Sequence, residues 1–192
     1  MSLYYQEFLL AIERTKNFKL SIPEINIKPQ KRLLSNEVIN QLPEVIFQNF
    51  GYLTPEQLIN NCIEIHFNLR QVIENFLRAK TYYTIGYITI NNVSIFKINE
   101  EDIKSYLQNK ITKPVNFHSW LTLESLEIID LTLPTTIAVI KNLPQKTGGI
   151  IAKHPNELSG NLVYHPMLVG TDFLLKIKAF TGFSIFSPQE MP

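Results

Sequence analysis

Cys62 is the single cysteine of the chain, accompanied by four histidines: His66, His118, His154 and His165. One thiol excludes an intrachain disulfide and any cysteine-rich zinc or iron–sulfur site. It fits a reducing compartment such as a cytoplasm. A lone thiol is either a small buried hydrophobe or a nucleophile. Acyl transfer through sulfur needs a thiolate, a base to take its proton, and a group that orients the base. A helix start favours the thiolate, because its unpaired N–H groups and dipole attract negative charge. Thr54-Pro55-Glu56-Gln57 forms a capping box with Pro at its first helical position. Asn61-Cys62-Ile63-Glu64 forms a second, with Asn61 as cap and Glu64 three residues on. One uninterrupted helix cannot begin at both. The spacing predicts a short turn at 55–59 and a new helix from Asn61, with Cys62 in its first turn. A helix starting at Thr54 would put Cys62 two turns in, where the field is weak.

Among the bases, His66 lies one turn after Cys62 and reads as a polar residue at the edge of an apolar stripe. A Cys62/His66 metal half-site lacks third and fourth ligands. His154 and His165 each precede a proline and read as loop or surface residues. His118 is different. In Asn116-Phe117-His118-Ser119-Trp120 it belongs to a strand, sharing a face with Trp120 and Thr122. The next strand ends Ile128-Ile129-Asp130-Leu131-Thr132, and an aspartate there is costly to bury without a partner such as an imidazole. Register decides whether they meet. A two-residue loop at Glu124-Ser125 puts His118 and Asp130 on opposite faces. A three-residue loop restores one face, pairing 122 with 126 or, diagonally, 123 with 127. A triad therefore predicts an odd-length turn or a bulge, with Ser125 or Glu124 accepting the strain because no glycine is present.

The elements that must position these groups follow from the hydrophobic period. Residues 1–53 read as helical, with Tyr4, Phe8, Leu9 and Ile12 at helical spacing and another helix from Ser35 to about Gly51. Met1-Ser2-Leu3 reads in part as an expression leader. Tyr83–Ile90 and Val93–Ile98 are strands joined by an Asn91-Asn92 turn, followed by a helix from Asn99 to Leu107. Phe117–Leu123 and Leu126–Thr132 make the next strand pair. Thr135–Lys141 is ambiguous, Leu162–Val169 a strand and Thr171–Phe180 a terminal helix. The whole reads as one α+β domain over 1–192, its helices leading a mostly antiparallel sheet. The sum of 18 Lys+Arg and 17 Asp+Glu leaves a formal charge of +1, which steers toward neither nucleic acid nor anionic membrane. Arg14, Lys16, Lys19, Lys28, Lys31 and Arg32 read as a solvated basic face. No apolar run is long enough to span a bilayer, and no phosphate loop or dinucleotide motif implies a cofactor.

Cys at a helix head, His-x-Trp in a strand, then an apolar strand ending Ile-Asp-Leu-Thr: this order resembles the transglutaminase-like branch of the papain-like cysteine enzymes. The resemblance covers roughly residues 54–133 and implies a Cys62-His118-Asp130 triad on a transglutaminase-like core, with 134–192 as cover. Many members carry Gly or Trp beside the nucleophile, whereas Asn61 and Ile63 flank it here. The chain is also far smaller than calcium-dependent crosslinking members. The resemblance therefore implies an amidase, protease, deamidase or acyltransferase, acting on an amide- or ester-bearing peptide or small molecule without cofactor or metal. Asn61 or Asn116 would add a donor for the oxyanion. Trp120 would either wall the cleft or pack the core. The alternative is a non-catalytic binding protein on the same scaffold, including a host-directed effector.

Overall fold

A computed structural model of the chain describes residues 2–59, 61–110 and 116–179. Ser2 caps α1 (Leu3–Asn17), its side chain accepting from Tyr5 N. Ser35 caps α2 (Asn36–Phe50), which ends at Gly51 with φ 67°. The Thr54/Gln57 capping box forms and starts only α3 (Pro55–Leu58). A new helix, α4 (Cys62–Leu77), follows. The chain continues as β1 (Thr81–Ile90), β2 (Val93–Ile95), α5 (Glu100–Leu107), β3 (His118–Leu123) and β4 (Ile128–Asp130). It finishes with α6 (Leu133–Ile140), β5 (Ile151–Lys153), β6 (Leu162–Val169) and α7 (Asp172–Lys176). The fold is α+β, and every strand pair among the described residues is antiparallel.

β1 is the spine of the sheet. One edge pairs with β6, and the other carries β3 along residues 81–86 and then β2 along 88–90. β4 and β5 extend the sheet beyond β3. Residues of alternating parity face opposite ways along these strands. Tyr83, Ile85, Leu121, Leu123 and Ile129 pack on Ile65, Leu69 and Ile73 of α4. Tyr82, Ile88, Trp120, Ile128 and Tyr164 turn the other way, toward Tyr4 and Phe8 of α1. Gly86 sits where β1, β3 and β6 crowd together. A Cβ there would meet the His165 carbonyl and lie 2.8 Å from the Trp120 ring.

Several elements differ from the sequence expectation, each for a physical reason. β2 stops at Ile95 because Phe96 adopts φ 57° and turns the chain off the sheet edge just where β3 begins. The segment from 134 on is more than a cover: it supplies α6 and two strands of the sheet, and the ambiguous 135–141 stretch falls largely within that helix. α7 ends at Lys176, short of the expected Phe180, which lies outside the described residues. The basic residues of the 18–35 segment are not simply a solvated face. Lys28 and Lys31 bind the buried Glu124 at 3.1 and 3.6 Å, and Arg32 binds Glu157 at 2.6 Å. Among the described residues no helix is long and apolar enough to cross a membrane.

Candidate active site

The site forms where the head of α4 meets the start of β3 and the end of β4. Cys62 is the first residue of α4, so its N–H and that of Ile63 have no acceptor within the helix. Asn61 occupies the cap position, but its side chain makes no cap. It donates instead to the Gln57 carbonyl at 2.8 Å, so the expected second capping box is absent. That bond ties the α3–α4 junction together and leaves the Cys62 and Ile63 N–H groups without a cap from the Asn61 side chain.

The β3–β4 turn has the odd length that a meeting of His118 and Asp130 requires. Leu121 pairs with Ile129 and Thr122 with Ile128. Leu123 and Glu127 then close a three-residue loop, with Leu123 N donating to Glu127 O at 2.8 Å. This is the diagonal register. The strain falls on Leu126, with φ 69°, and not on Ser125 or Glu124. Leu126 is nonetheless buried against α1, and Glu127 anchors the turn by accepting from Ser125 Oγ at 2.6 Å and Leu33 N at 2.8 Å. Burial and these bonds offset a conformation that a leucine rarely adopts.

His118 and Asp130 are joined by a 2.6 Å hydrogen bond from Nε2 to Oδ2. Asp130 is completely buried and its remaining lone pairs are filled. Oδ2 also accepts from Tyr164 at 2.9 Å. Oδ1 accepts from Thr132 N at 2.9 Å and Leu133 N at 3.0 Å, at the head of α6. Burial alone would raise the carboxyl pKa. The charge and hydrogen bond of His118 outweigh it and hold Asp130 well below the usual carboxylate range. Burial likewise disfavours a charged His118, but Asp130 and then Cys62 raise its pKa to about 10.

With Nε2 committed to Asp130, the other ring nitrogen is left for the Cys62 sulfur. Burial raises the thiol pKa. The hydrogen bond and charge of His118, with the hydroxyl and backbone N–H of Ser119, more than reverse that and bring it below its ordinary value. Both shifts favour the charged forms of the pair, thiolate and imidazolium. Ser119 Oγ lies 2.8 Å from Tyr83 OH, which also reaches the Ile63 carbonyl at 3.1 Å. A hydroxyl relay thus runs behind the sulfur.

A cleft of about 290 Å³ opens on this pair, lined by Ile63, Phe96, Phe117, Asn116, Thr132 and Thr136 beside Cys62 and His118. Phe96 packs nearly parallel to His118 at 5.4 Å between ring centroids. Asn116 is exposed at the rim. Trp120 does not line the cleft. It is fully buried, donates to Tyr4 OH at 2.8 Å and packs behind the His118 ring at 6.1 Å, so packing is its role.

The other histidines lie apart from the sulfur's cleft or play another part. His154 is buried and opens a tight turn, its Nδ1 accepting from Asn156 N at 3.3 Å. His165 is on β6, not in a loop, between Glu7 and Thr89 at 3.0 Å each. His66 is fully buried and not at the stripe's edge. Tyr83, Ser119, Tyr164 and Phe96 were not singled out by sequence reasoning. Ser119 alone had a signal, sitting one residue after His118 on the strand face opposite to it. Among the described residues no group of three or more His, Cys, Asp or Glu side chains could hold a metal ion. No family model matches the chain. No solved structure matches it either.

Proposed function

We propose that the protein is a cysteine-dependent acyl-transfer enzyme or hydrolase acting at an amide or ester, on a transglutaminase-like core. The observation that carries this reading is His118, bonded through Nε2 to the buried Asp130 and sharing one cleft with Cys62 at the head of a helix. In the reaction, the Cys62 thiolate attacks the substrate carbonyl carbon and the carbonyl electron pair moves onto oxygen. The Cys62 and Ile63 N–H groups at the head of α4 hold that oxyanion, a contact worth ~3–4 kcal/mol in related chemistry. As the tetrahedral intermediate collapses, His118 gives its proton to the departing nitrogen or oxygen and an acyl-thioester remains on Cys62. Water or an acceptor nucleophile then attacks the thioester, giving its proton to His118, and the thiolate leaves. Asp130 stays ionised throughout and fixes the imidazole.

Apart from Cys62 and His118, the described walls of the cleft are apolar, hydroxyl-bearing or amide side chains without charge, which suits an uncharged acyl group. The volume lies at the small end for ligand pockets. The test is a burst assay with an activated aryl ester. The reading expects a release of one aryl alcohol per chain and an acyl mass addition on Cys62, both lost in Cys62→Ser and His118→Ala. Absence of acylation at Cys62, with the thiol inert to iodoacetamide, favours the binding-protein alternative.

A further inference from the structure

His66 takes part in no step of that reaction, yet it is 0% exposed and touches both halves of the site. Its Nδ1 lies 2.9 Å from the carbonyl oxygen of Cys62, and its Nε2 accepts from the backbone N of Leu131 at 3.1 Å. A carbonyl only accepts and a backbone N–H only donates. Nδ1 therefore carries the proton and Nε2 is bare, which makes the ring neutral and fixes one tautomer. The ring bridges the nucleophile's own peptide group, in the first turn of α4, to the residue that follows Asp130.

The tautomer also has a consequence for Asp130. His66 Nε2 lies 3.4 Å from Asp130 Oδ1, close enough to compete with His118 were it protonated. With Nε2 taken by the Leu131 N–H, the short bonds to Oδ1 come from the Thr132 and Leu133 N–H groups. Oδ2 is left to His118 and Tyr164. Packing does not require this arrangement, since an aliphatic side chain of similar size would fill the same space between α4 and β4.

We propose that His66 is a positioning residue, a neutral imidazole clamp that sets the Cys62 end of α4 against the Asp130 end of β4 and keeps Asp130 for His118. This rests on the triad reading above. Three substitutions in the full chain separate its parts. His66→Asn keeps a donor near the Cys62 carbonyl, His66→Gln keeps an acceptor near the Leu131 N–H, and His66→Leu keeps volume alone. For each, the unfolding midpoint, the pH profile of Cys62 alkylation and the separate kcat and KM for an activated ester are measured. The clamp predicts that His66→Leu moves the alkylation profile toward that of an ordinary thiol and lowers kcat by about 10²-fold, the scale of a small misplacement of reacting groups. KM stays unchanged, and Asn and Gln each recover part of the loss.

A His66→Leu protein with a lowered unfolding midpoint but wild-type profile and kcat overturns the inference and leaves only a packing role. If His66→Leu does not fold, wild-type profiles in both His66→Asn and His66→Gln overturn it, and shifted profiles in both support it. Heteronuclear NMR of the wild-type chain reads the tautomer directly: a proton on Nδ1 supports the clamp and a proton on Nε2 overturns it. A Cys62 that reacts as an ordinary thiol in wild type, unaffected by His118→Ala, overturns the triad and this inference together. An indifferent His66→Leu in an otherwise active protein overturns this inference alone.

Discussion

Replacing Asp130 with asparagine exchanges one oxygen for an NH₂ group and reverses the contact on which His118 depends. Oδ1 faces the Thr132 and Leu133 N–H groups at 2.9 and 3.0 Å, which can only donate, so the amide oxygen must stay there. The NH₂ group then takes the place of Oδ2, 2.6 Å from His118 Nε2. Because it donates, Nε2 must accept, and the imidazole proton moves to the nitrogen facing the sulfur. Such a ring cannot take a proton from the thiol. Holding His118 charged up to about pH 10, against an ordinary 6.5, corresponds to ~5 kcal/mol of interaction at about 1.4 kcal/mol per tenfold, shared between Asp130 and Cys62. Removing the carboxylate removes the larger share. The expected loss in kcat/KM is about 10⁴-fold, as for triads whose orienting aspartate is changed in this way. Tyr164 loses the acceptor for its hydroxyl proton, which costs about 1–3 kcal/mol of stability and leaves the chain folded. Ester turnover and the neutral-pH alkylation rate of Cys62 are measured beside urea unfolding. A folded Asp130→Asn protein with both rates within an order of magnitude of wild type would refute the reasoning.

Four further outcomes follow from the same geometry. Ser119→Ala takes a donor from the thiolate and Tyr83→Phe loosens that donor, so each raises the Cys62 pKa, read as slower alkylation at neutral pH. Phe96→Ala removes the ring beside His118 and enlarges the cleft, so relative kcat/KM for esters of bulky acids over acetate rises while the chain stays folded. Gly86→Ala forces a Cβ against the His165 carbonyl and the Trp120 ring, lowering stability by about 1–3 kcal/mol or more in urea unfolding. Above the ordinary thiol value of 9.0 the unfolded chain has lost both protons of the Cys62–His118 pair, while the folded chain keeps one on His118 up to about 10. Stability therefore falls with rising pH across that interval, and His118→Gln flattens the fall.

The site was readable in the sequence to the extent that its causes are local. Pro55 and the capping box around Thr54 start a helical turn that ends at Leu58, and Cys62 opens a fresh helix. The alternation of β3 and the polar anomaly of Asp130 required an odd turn, and the turn has three residues. What lay beyond reach depends on distant partners. Leu126 accepts a positive φ because α1 buries it and the 28–34 segment binds Glu124 and Glu127. Tyr164 reaches Asp130 because β6 crosses back to pair with β1, which no local pattern announces. His66 looked like a stripe-edge residue because its two partners are backbone groups, one of them 65 residues away and invisible to any side-chain pattern. Phe96 meets His118 only because β2 and β3 share one edge of β1.

The central claim is that Cys62 is a thiolate held by His118 in the resting protein. Ultraviolet thiolate absorbance, titrated in the wild-type chain against Cys62→Ser as blank, tests it most directly. The account predicts thiolate absorbance that persists below the ordinary thiol value of 9.0 and is lost only on further acidification. An absorbance that first appears on raising the pH through 9.0 would show a plain buried thiol and contradict it.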